Sequence, residues 1–422
     1  MRKTILGLVV CAVFACGYSY ASEVNVTFDQ NGSLAKIMEQ INEKTGNSSD
    51  VLAPVEQTKA LKEWTVMVFV NAKNNLEKYG LKDVNEMEMI GSTDKINVVA
   101  ELGRIKGYDS SDGDWTGSKR YLIQKDNNAS KVTSPVLMEI AKSDMGDWKY
   151  LVGFTKWAME KFPAKKYMLV VWNHGSGWNK DEKFEAAKGI SYDDETGHHL
   201  TTPQLLMTLK ETGKIDIFSM DACLMQMMEV AYEIKDYTDY VVASEETEPA
   251  DGYTYNTFLG PLAAKPTMTA AELSKATVDS YTDHYQSISQ GATQSSINAK
   301  SLANLTALLD NWTSEIMKAG ELQVVKDARS KAQDFYYSSN KDLYHFVKLV
   351  TETSKNSVVV SKGKEIMSFM KGEVILHNRA YGSGYADAYG LAVYLPSYYS
   401  AAYDELKWAQ ESKWDDFIKW VK

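Results

Sequence analysis

The sequence has little cysteine and little proline, and it has no long block of one charge. Three cysteines among 422 residues are too few for a fold held by disulfides. Basic residues number 46 and acidic residues 56, for a formal net charge of −10, which argues against electrostatic nucleic-acid binding. Hydrophobic residues at 44% and charged residues at 24% argue against disordered, collagen-like and multi-span membrane classes. The length predicts a globular chain of two to three domains.

The N-terminal segment has the parts of a secretory signal peptide. Arg2 and Lys3 precede an apolar run from residue 5 to residue 15, and Ser19-Tyr20-Ala21 forms a small-x-small cleavage site. The apolar run is short for a bilayer span, although a retained membrane anchor is the alternative. We therefore predict that residues 1–21 direct export and are removed.

Two of the three cysteines lie in this export segment. Its removal takes away Cys11 and Cys16 and leaves Cys223 without a disulfide partner in its own chain. Residues 13–16 also loosely resemble a bacterial lipoprotein signal, in which Cys16 would carry lipid. The sequence therefore predicts an exported protein that is secreted, periplasmic or lipid-anchored at the bacterial cell surface.

Hydrophobic periodicity divides the remaining chain into three parts. Residues 22–62 are predicted to be a leader or pro-segment, with a short amphipathic helix over residues 34–41 and a polar linker after it. From about residue 63 to residue 260, β-prone runs alternate with helical patterns. Residues 261–422 are richer in helical patterns, and we predict a helix-rich second domain or a large extension packed on the first.

The apolar runs of the middle part have the composition of strands that are buried on both faces. They lie at residues 64–70, 96–102, 167–172, 215–220 and 240–243. Helical stripes at residues 148–159 and after Thr202-Pro203 lie between several of them. Strands that alternate with helices predict an α/β fold, with a mainly parallel sheet flanked by helices.

Two of the predicted strands end beside residues that are capable of chemistry. The strand over residues 167–172 leads to His174, and the strand over residues 215–220 leads to Cys223. Sites in open α/β sheets form beyond the carboxyl ends of strands, so the two side chains would emerge side by side if these strands are neighbours. A thiol beside an imidazole base is a candidate nucleophile.

The backbone near Cys223 adds to this hypothesis. Residues 224–234 are predicted to be helical, and a helix N-terminus favours the thiolate form of a cysteine. The N–H groups of Gly175 and Cys223 would form an oxyanion hole. The structural alternative is that Cys223 is a small buried hydrophobe and that His174 belongs to a capped turn.

Four segments, taken together, resemble the clostripain family of cysteine peptidases. They lie at residues 64–77 (WTVMVFVNAKNNLE), 170–178 (VVWNHGSGW), 221–223 (DAC) and 390–396 (GLAVYLP). They occur in order across most of the mature chain, and about fifty residues separate the His from the Cys, as in caspases. The resemblance implies a caspase-like fold, with His174 and Cys223 as a catalytic dyad.

Members of this family cleave after Arg or Lys, so the resemblance implies an acidic pocket for that side chain, the S1 pocket. Asp221 matches the family's Asp-x-Cys pattern, and Asp251 matches a second pocket acid in the loop after the next strand. A cationic substrate side chain would offset the cost of burying two carboxylates. The alternatives are a helix N-cap for Asp221 and an ordinary turn residue for Asp251.

The family also matures by cutting itself between the His and Cys strands. Lys188, which precedes Gly189 in a polar stretch, fits this cut best, and an ordinary solvated lysine is the alternative. Several members respond to calcium, and residues 109–114 and 193–195 carry oxygen ligands, although neither segment follows the EF-hand pattern. The resemblance thus makes calcium a possible ligand without assigning its site. The cysteine peptidase reaction itself is expected to require no cofactor.

Motifs of other enzyme classes do not occur in the sequence. It contains no G-x-S-x-G elbow, P-loop or HExxH motif, and the adjacent side chains of His198 and His199 project in different directions, which argues against a metal site there. We therefore predict an exported cysteine endopeptidase that acts on proteins or peptides at Lys or Arg. Nucleic acid is not expected as a partner, and contact with a membrane is expected only through a lipidated Cys16. The alternative is a non-catalytic, surface-anchored protein of the same fold that binds peptides or glycans.

Overall fold

The computed structural model describes residues 61–178 and 189–422, and the structural statements below concern these residues. The predicted signal peptide, the predicted leader up to residue 60 and the predicted cleavage site at Lys188 lie outside the described residues. The described residues from 61 to 422 belong to one compact unit. None of the helices in these two ranges is long and apolar enough to cross a membrane.

The described residues form thirteen strands. They are β1 (Lys62–Ala72), β2 (Ile96–Arg104), β3 (Gly117–Leu122), β4 (Val136–Ile140), β5 (Ala164–Trp172), β6 (Ile190–Asp193), β7 (His198–Leu200), β8 (Ile215–Asp221), β9 (Thr238–Ala243), β10 (Ala292–Asn298), β11 (Asn340–Asp342), β12 (Ile375–Tyr381) and β13 (Ala392–Tyr394).

The same part of the chain forms twelve α-helices. They are α1 (Glu77–Glu88), α2 (Trp148–Lys161), α3 (Thr202–Thr212), α4 (Met228–Ile234), α5 (Tyr255–Ala264), α6 (Ala270–Ser287), α7 (Leu302–Ala319), α8 (Leu322–Lys331), α9 (Leu343–Thr353), α10 (Ser357–Phe369), α11 (Lys407–Glu411) and α12 (Trp414–Val421).

Nine strands form one sheet, in the order β12-β10-β9-β8-β5-β1-β2-β3-β4. The five central strands, from β9 to β2, pair in parallel. Antiparallel strands extend the sheet on both sides. The prediction of an α/β fold with a mainly parallel sheet flanked by helices is confirmed. Two further sheets, β6–β7 and β11–β13, have two strands each.

The central strand β1 explains why these runs are apolar throughout. Val66 and Val68 pack into the core on one face of the sheet, whereas Met67 and Phe69 pack into the core on the other. All four side chains are fully buried. A strand that is covered on both faces has no solvent side, so the alternation of polar and apolar residues disappears.

Two helix starts follow from capping residues. Thr269 and Glu272 form a capping box at the start of α6, each accepting the other's backbone N–H. Helix α3 has Thr201 as its N-cap, so Thr202 and Pro203 are its first two residues. The N–H of Thr201 donates to the side chain of Gln204 at 3.0 Å.

The C-terminal part of the chain shares the main sheet. The predicted boundary after residue 260 lies inside α5, and β10 and β12 from the C-terminal part extend the same nine-stranded sheet. Trp312 of α7 and Phe346 of α9 meet edge to face, in the same core as Phe218 of β8. The helices after residue 300 therefore help to cover one face of the sheet that carries the candidate site.

Candidate active site

The register of the sheet places the two candidate chemical residues at one edge. Strands β5 and β8 are neighbours, and Trp172 at the end of β5 pairs with Asp221 at the end of β8. His174 and Cys223 each follow this pair by two residues. Both residues therefore leave the carboxyl ends of adjacent parallel strands, where α/β sheets build their sites.

Gly175 lies against the backbone of the Cys223 loop. A Cβ added at Gly175 would lie 2.4 Å from the carbonyl oxygen of Cys223 and 3.0 Å from the Cβ of Ala222. The other side of Gly175 forms an antiparallel bridge with Ile190. Only glycine fits between these two segments without moving one of them.

Backbone N–H groups converge on the Cys223 thiol. Burial raises the pKa of this thiol above its usual value, and the N–H groups of Glu248, Cys223 and Gly175 offset part of the increase. The N–H of Glu248 donates to Sγ at 3.2 Å. These donors lie at the nucleophile, which is where the oxygen of an attacked carbonyl would need N–H donors.

The prediction that a helix begins directly after Cys223 is wrong. Leu224 has a left-handed backbone with a φ of 64°, and helix α4 begins only at Met228. Instead of helical bonds, the N–H of Leu224 donates to the Glu246 carbonyl and that of Gln226 to the Ser244 carbonyl. Within the described ranges, no helix therefore begins directly after the thiol, and Asp221 is not the N-cap of α4.

His174 is held by a residue that sequence reasoning did not select. Its Nε2 lies 2.7 Å from Oδ1 of Asn75, in the turn after β1. Because Asn75 Oδ1 can only accept, Nε2 carries the proton and Nδ1 keeps its lone pair. Burial lowers the pKa of His174, which a nearby Asp194 opposes. The imidazole is therefore uncharged near pH 7, and its Nδ1 can accept a proton.

A cluster of side-chain amides fixes β6 over the ends of β1 and β5. Nδ2 of Asn173 donates to the carbonyls of Asn71 and Tyr192, and its Oδ1 accepts the N–H of Tyr192 at 2.8 Å. Asn71 in turn donates to Oγ of Ser191 at 3.1 Å. These bonds hold the chain on both sides of His174 in one position.

The two segments that offered calcium ligands have other roles in the described structure. Asp193 and Glu195 pair with the amino group of buried Lys73, at 3.0 and 2.6 Å. Asp109 accepts the N–H of Ser111 in a local turn. No group of three or more potential ligand side chains is present in the described ranges. Lys73 therefore pairs with two of these carboxylates, and the position of a calcium site stays unassigned.

Asp221, two residues before Cys223, is buried. Its Oδ1 accepts the N–H of Tyr253 at 3.1 Å, and its Oδ2 accepts the hydroxyl of Tyr255 at 2.8 Å. Burial raises the pKa of Asp221 to about 6, although hydrogen bonds with Glu248, Tyr255 and Tyr253 counteract it. A Cβ at Gly252 would lie 2.9 Å from Oδ1, so the carboxylate is enclosed by the chain after β9.

Asp251 lies in a different environment from Asp221. It pairs with Lys82 of α1 at 3.0 Å and with His284 of α6 at 3.4 Å, and 38% of its side chain is exposed. Its hydrogen bond with Lys82 lowers the pKa of its carboxyl group. The structure places His174, Gly175, Cys223 and Asp221 at the carboxyl ends of two neighbouring strands, whereas Asp251 belongs to an ion-pair cluster with α1 and α6.

Comparison with known proteins gives one consistent match. A sequence model of the Clostripain family matches residues 68–420. Clostripain of Hathewaya histolytica is 24% identical to this chain over 283 residues, which are 61% of this chain and 51% of that protein. The chain thus spans about half the length of the curated relative that it matches.

Solved structures show the same fold. A secreted C11 cysteine protease of Bacteroides thetaiotaomicron, solved with an irreversible peptide inhibitor, has a TM-score of 0.63 at 20% identity and covers 84% of this chain and 100% of its own. An inactive zymogen C11 protease of Parabacteroides distasonis has a TM-score of 0.61 at 18% identity, with coverages of 83% and 98%. These likenesses confirm the fold class that the resemblance implied.

Proposed function

The chain belongs to the clostripain family, and from this premise we propose that it is an exported cysteine endopeptidase that cleaves after Lys or Arg. The observation that carries the proposal is the Cys223 thiol among converging N–H groups, at the sheet edge that also carries His174. No other described residue is a cysteine. The substrates are proteins or peptides.

The proposed reaction starts from a neutral thiol and a neutral imidazole, because burial raises the pKa of Cys223 and lowers that of His174. His174 takes the thiol proton as sulfur attacks the carbonyl carbon. The carbonyl oxygen becomes an oxyanion, which the N–H groups of Gly175 and Cys223 stabilise. The imidazolium then donates its proton to the leaving amine as the C–N bond breaks. Water hydrolyses the thioester and restores both groups.

Specificity for a basic residue at the cleaved position is supported by buried acid next to the nucleophile. Asp221 lies two positions before Cys223 and is 3% exposed. A carboxylate that is buried away from water is unfavourable without a cation. A substrate ammonium or guanidinium group therefore gains more binding free energy from it than from a carboxylate in water. The reaction needs no cofactor in this proposal.

Export and self-cutting complete the proposal. The signal-like residues 1–21 direct export, with lipid on Cys16 as the alternative to free secretion. Self-cutting at the Lys188–Gly189 bond is supported by the position of Gly189, whose N–H donates to Oγ of Ser176 at 2.9 Å. A new N-terminus at Gly189 would therefore begin at an anchored residue beside Gly175.

An assay with fluorogenic peptides tests the activity. Purified protein is incubated with Arg, Lys and Asp substrates, in parallel with a Cys223→Ala variant. We expect release from the basic substrates only, reduced by about 10³-fold or more in the variant. Without Cys223-dependent release from the basic substrates the proposal is wrong, and a non-catalytic binding protein becomes the better description.

Gel electrophoresis of the same samples tests self-cutting. Wild type is expected to separate into two fragments, whereas Cys223→Ala stays intact. Lys188→Ala is the matched variant for the position of the cut and is expected to remain uncut at that site. If wild type stays intact under conditions in which it cleaves peptides, maturation at Lys188 is excluded.

A further inference from the structure

The acidic segment after β6 converges on the side chain of Lys73, in the turn after β1. This side chain is fully buried, and its Nζ lies 3.0 Å from Oδ2 of Asp193 and 2.6 Å from Oε2 of Glu195. Nζ also donates to the carbonyl oxygen of Ser143. Two carboxylates and a backbone carbonyl are the kind of oxygen ligands that calcium prefers. The cation that these three oxygens contact is the ammonium group of the chain itself.

Asp193 is held in place by bonds that do not involve Lys73. Its Oδ2 also accepts the N–H of Met145 at 3.0 Å. Its Oδ1 accepts the N–H groups of Glu195 and Thr196, at 3.0 and 3.2 Å. Asp193 is 1% exposed. Loss of the ammonium group would therefore leave a fixed, buried carboxylate without its cation, which is unfavourable.

The turn that carries Lys73 also carries Asn75, the residue that holds His174. Oδ1 of Asn75 lies 2.7 Å from Nε2 of His174. Between the two turn residues, Nδ2 of Asn74 donates to the carbonyl oxygen of Tyr192 in β6 at 2.9 Å. Only one residue separates Lys73 from Asn75, so a displacement of the turn at Lys73 also displaces the group that orients the imidazole.

We propose that the ammonium group of Lys73 is a built-in cation that positions His174 through Asn75, in the place that a calcium ion would otherwise take among these oxygens. The inference rests on the proposed endopeptidase function and names a positioning residue for it. Lys73 acts only by joining the turn after β1 to the segment after β6. The proposal concerns this set of oxygens alone.

Steady-state kinetics test the positioning role. Lys73→Met keeps most of the apolar side chain and removes the charge. We expect kcat to fall by about tenfold or more with KM changed less than about threefold, because the imidazole is displaced and the thiol is not. Arg120→Met is the matched control, since Arg120 of β3 pairs with buried Glu101 at 2.8 Å. It should keep kcat within about threefold, and a wild-type kcat in Lys73→Met would overturn the inference.

The imidazole itself gives a readout that a merely structural residue would not change. In protein labelled with 15N-histidine at pH 8, His174 of wild type is expected to show one tautomer, with the proton on Nε2. Lys73→Met should show a mixture of both tautomers, as should Asn75→Ala, whereas Arg120→Met should keep the wild-type signal. His174→Ala identifies the signal. A single Nε2–H tautomer in Lys73→Met contradicts the proposed positioning.

Lys73→Asp tests the built-in cation, including the case in which Lys73→Met does not fold. An aspartate side chain plus a Ca–O bond of about 2.4 Å has roughly the reach of a lysine side chain. We therefore expect millimolar calcium to raise the Tm of Lys73→Asp by about 5 °C or more above its value in EDTA. The wild-type Tm should respond less. A Lys73→Asp protein that responds to calcium no more than wild type overturns the built-in cation.

These measurements separate the inference from the proposed function. If wild type lacks Cys223-dependent cleavage, the endopeptidase proposal fails, while the His174 signal and the calcium response still decide whether Lys73 positions the imidazole as a built-in cation. If wild type cleaves and Lys73→Met keeps both the wild-type kcat and the wild-type tautomer, the inference alone is overturned.

Discussion

At the scale of single residues, the site is built from a thiol and an imidazole that are both neutral at rest. Burial is the first cause of both shifts, because it penalises the charged form of each group. The imidazole is oriented by Asn75, and the thiol by the N–H of Glu248. Neither contact uses a helix dipole. Proton transfer therefore has to accompany attack on the substrate.

The ionisation of the resting thiol is directly measurable. A raised pKa means that the fraction of thiolate at pH 7 is smaller than in a free cysteine. We expect the rate of Cys223 alkylation by iodoacetamide, without substrate, to rise with pH and to reach half its limit above about 8.5. Cys223→Ala supplies the background rate. An alkylation rate that is already high and stays constant between about pH 4 and 8 would indicate a thiolate–imidazolium pair instead.

Replacement of Gly175 tests the close approach that positions the oxyanion donors. The Cβ of Gly175→Ala would lie 2.4 Å from the Cys223 carbonyl oxygen, so one of the two loops has to move. We expect kcat/KM to fall by about 10²- to 10³-fold, with KM changed less than kcat. Gly384→Ala, where a Cβ has open space, is the matched control. Equal activity of both variants would argue against a role for the Gly175 N–H.

The sequence allowed some of these residues to be selected and hid others. His174 and Cys223 follow apolar strands, so periodicity placed them at strand ends, and neighbouring strands brought them to one edge. Asn75 and Glu248 lie in turns, where polar residues are common and carry no periodic signal. The burial of both carboxyl oxygens of Glu248 is visible only in the structure.

At the scale of elements, apolar runs predicted the sheet's centre but not its margins. The five central strands were predicted because both of their faces are buried. β10 was missed because its buried residues are polar: Ser295 and Ser296 are 1% and 0% exposed, and each forms side-chain hydrogen bonds. The wrong helix start after Cys223 has a similar origin, because Leu224 and Gln226 bond to the segment after β9. Tertiary hydrogen bonding overrides local propensity at these places.

Packing between the C-terminal helices depends on one glycine. A Cβ at Gly363 of α10 would lie 2.0 Å from Oγ1 of Thr351 of α9 and 3.3 Å from Nε1 of Trp312 of α7. We expect Gly363→Ala to lower the free energy of unfolding by about 2 kcal/mol, despite its better helix propensity. Urea denaturation measures this. Gly153→Ala in α2, where the Cβ has open space, should be neutral or slightly stabilising, and the same result at Gly363 would contradict the predicted clash.

At the scale of the whole molecule, buried acids join segments of the chain that are distant in sequence. Glu229 of α4 accepts the N–H of Tyr394 and the hydroxyl of Tyr403, both at 2.9 Å. Asp342 at the end of β11 accepts the N–H groups of His345 and Tyr389. Burial raises the pKa of Glu229 and of Asp342 to about 7 each. These bridges join distant parts of the chain into one unit whose stability responds to pH.

The sign of this response follows from the raised pKa. Glu229 keeps its proton in the folded state up to about pH 7, whereas the unfolded chain loses it near pH 4.3 (about the usual value). The contribution of Glu229 to the free energy of unfolding therefore falls as pH rises from about 4 to 7. Between pH 5 and pH 8, we expect Glu229→Gln to lose about 2 to 3 kcal/mol less free energy of unfolding than wild type. Glu365→Gln, at an exposed site, should leave the loss unchanged. If Glu229→Gln loses as much free energy of unfolding as wild type between pH 5 and pH 8, groups other than Glu229 cause the loss.

Covalent labelling tests the central claim most directly, because it joins the nucleophile and the specificity in one measurement. Protein treated with a peptidyl-lysine chloromethyl ketone is digested and analysed by mass spectrometry. We predict a single label, on Cys223, that forms about tenfold or more faster than with the norleucine analogue. Label on another residue, no label, or equal rates for the two reagents would contradict a Cys223 endopeptidase that selects a basic side chain.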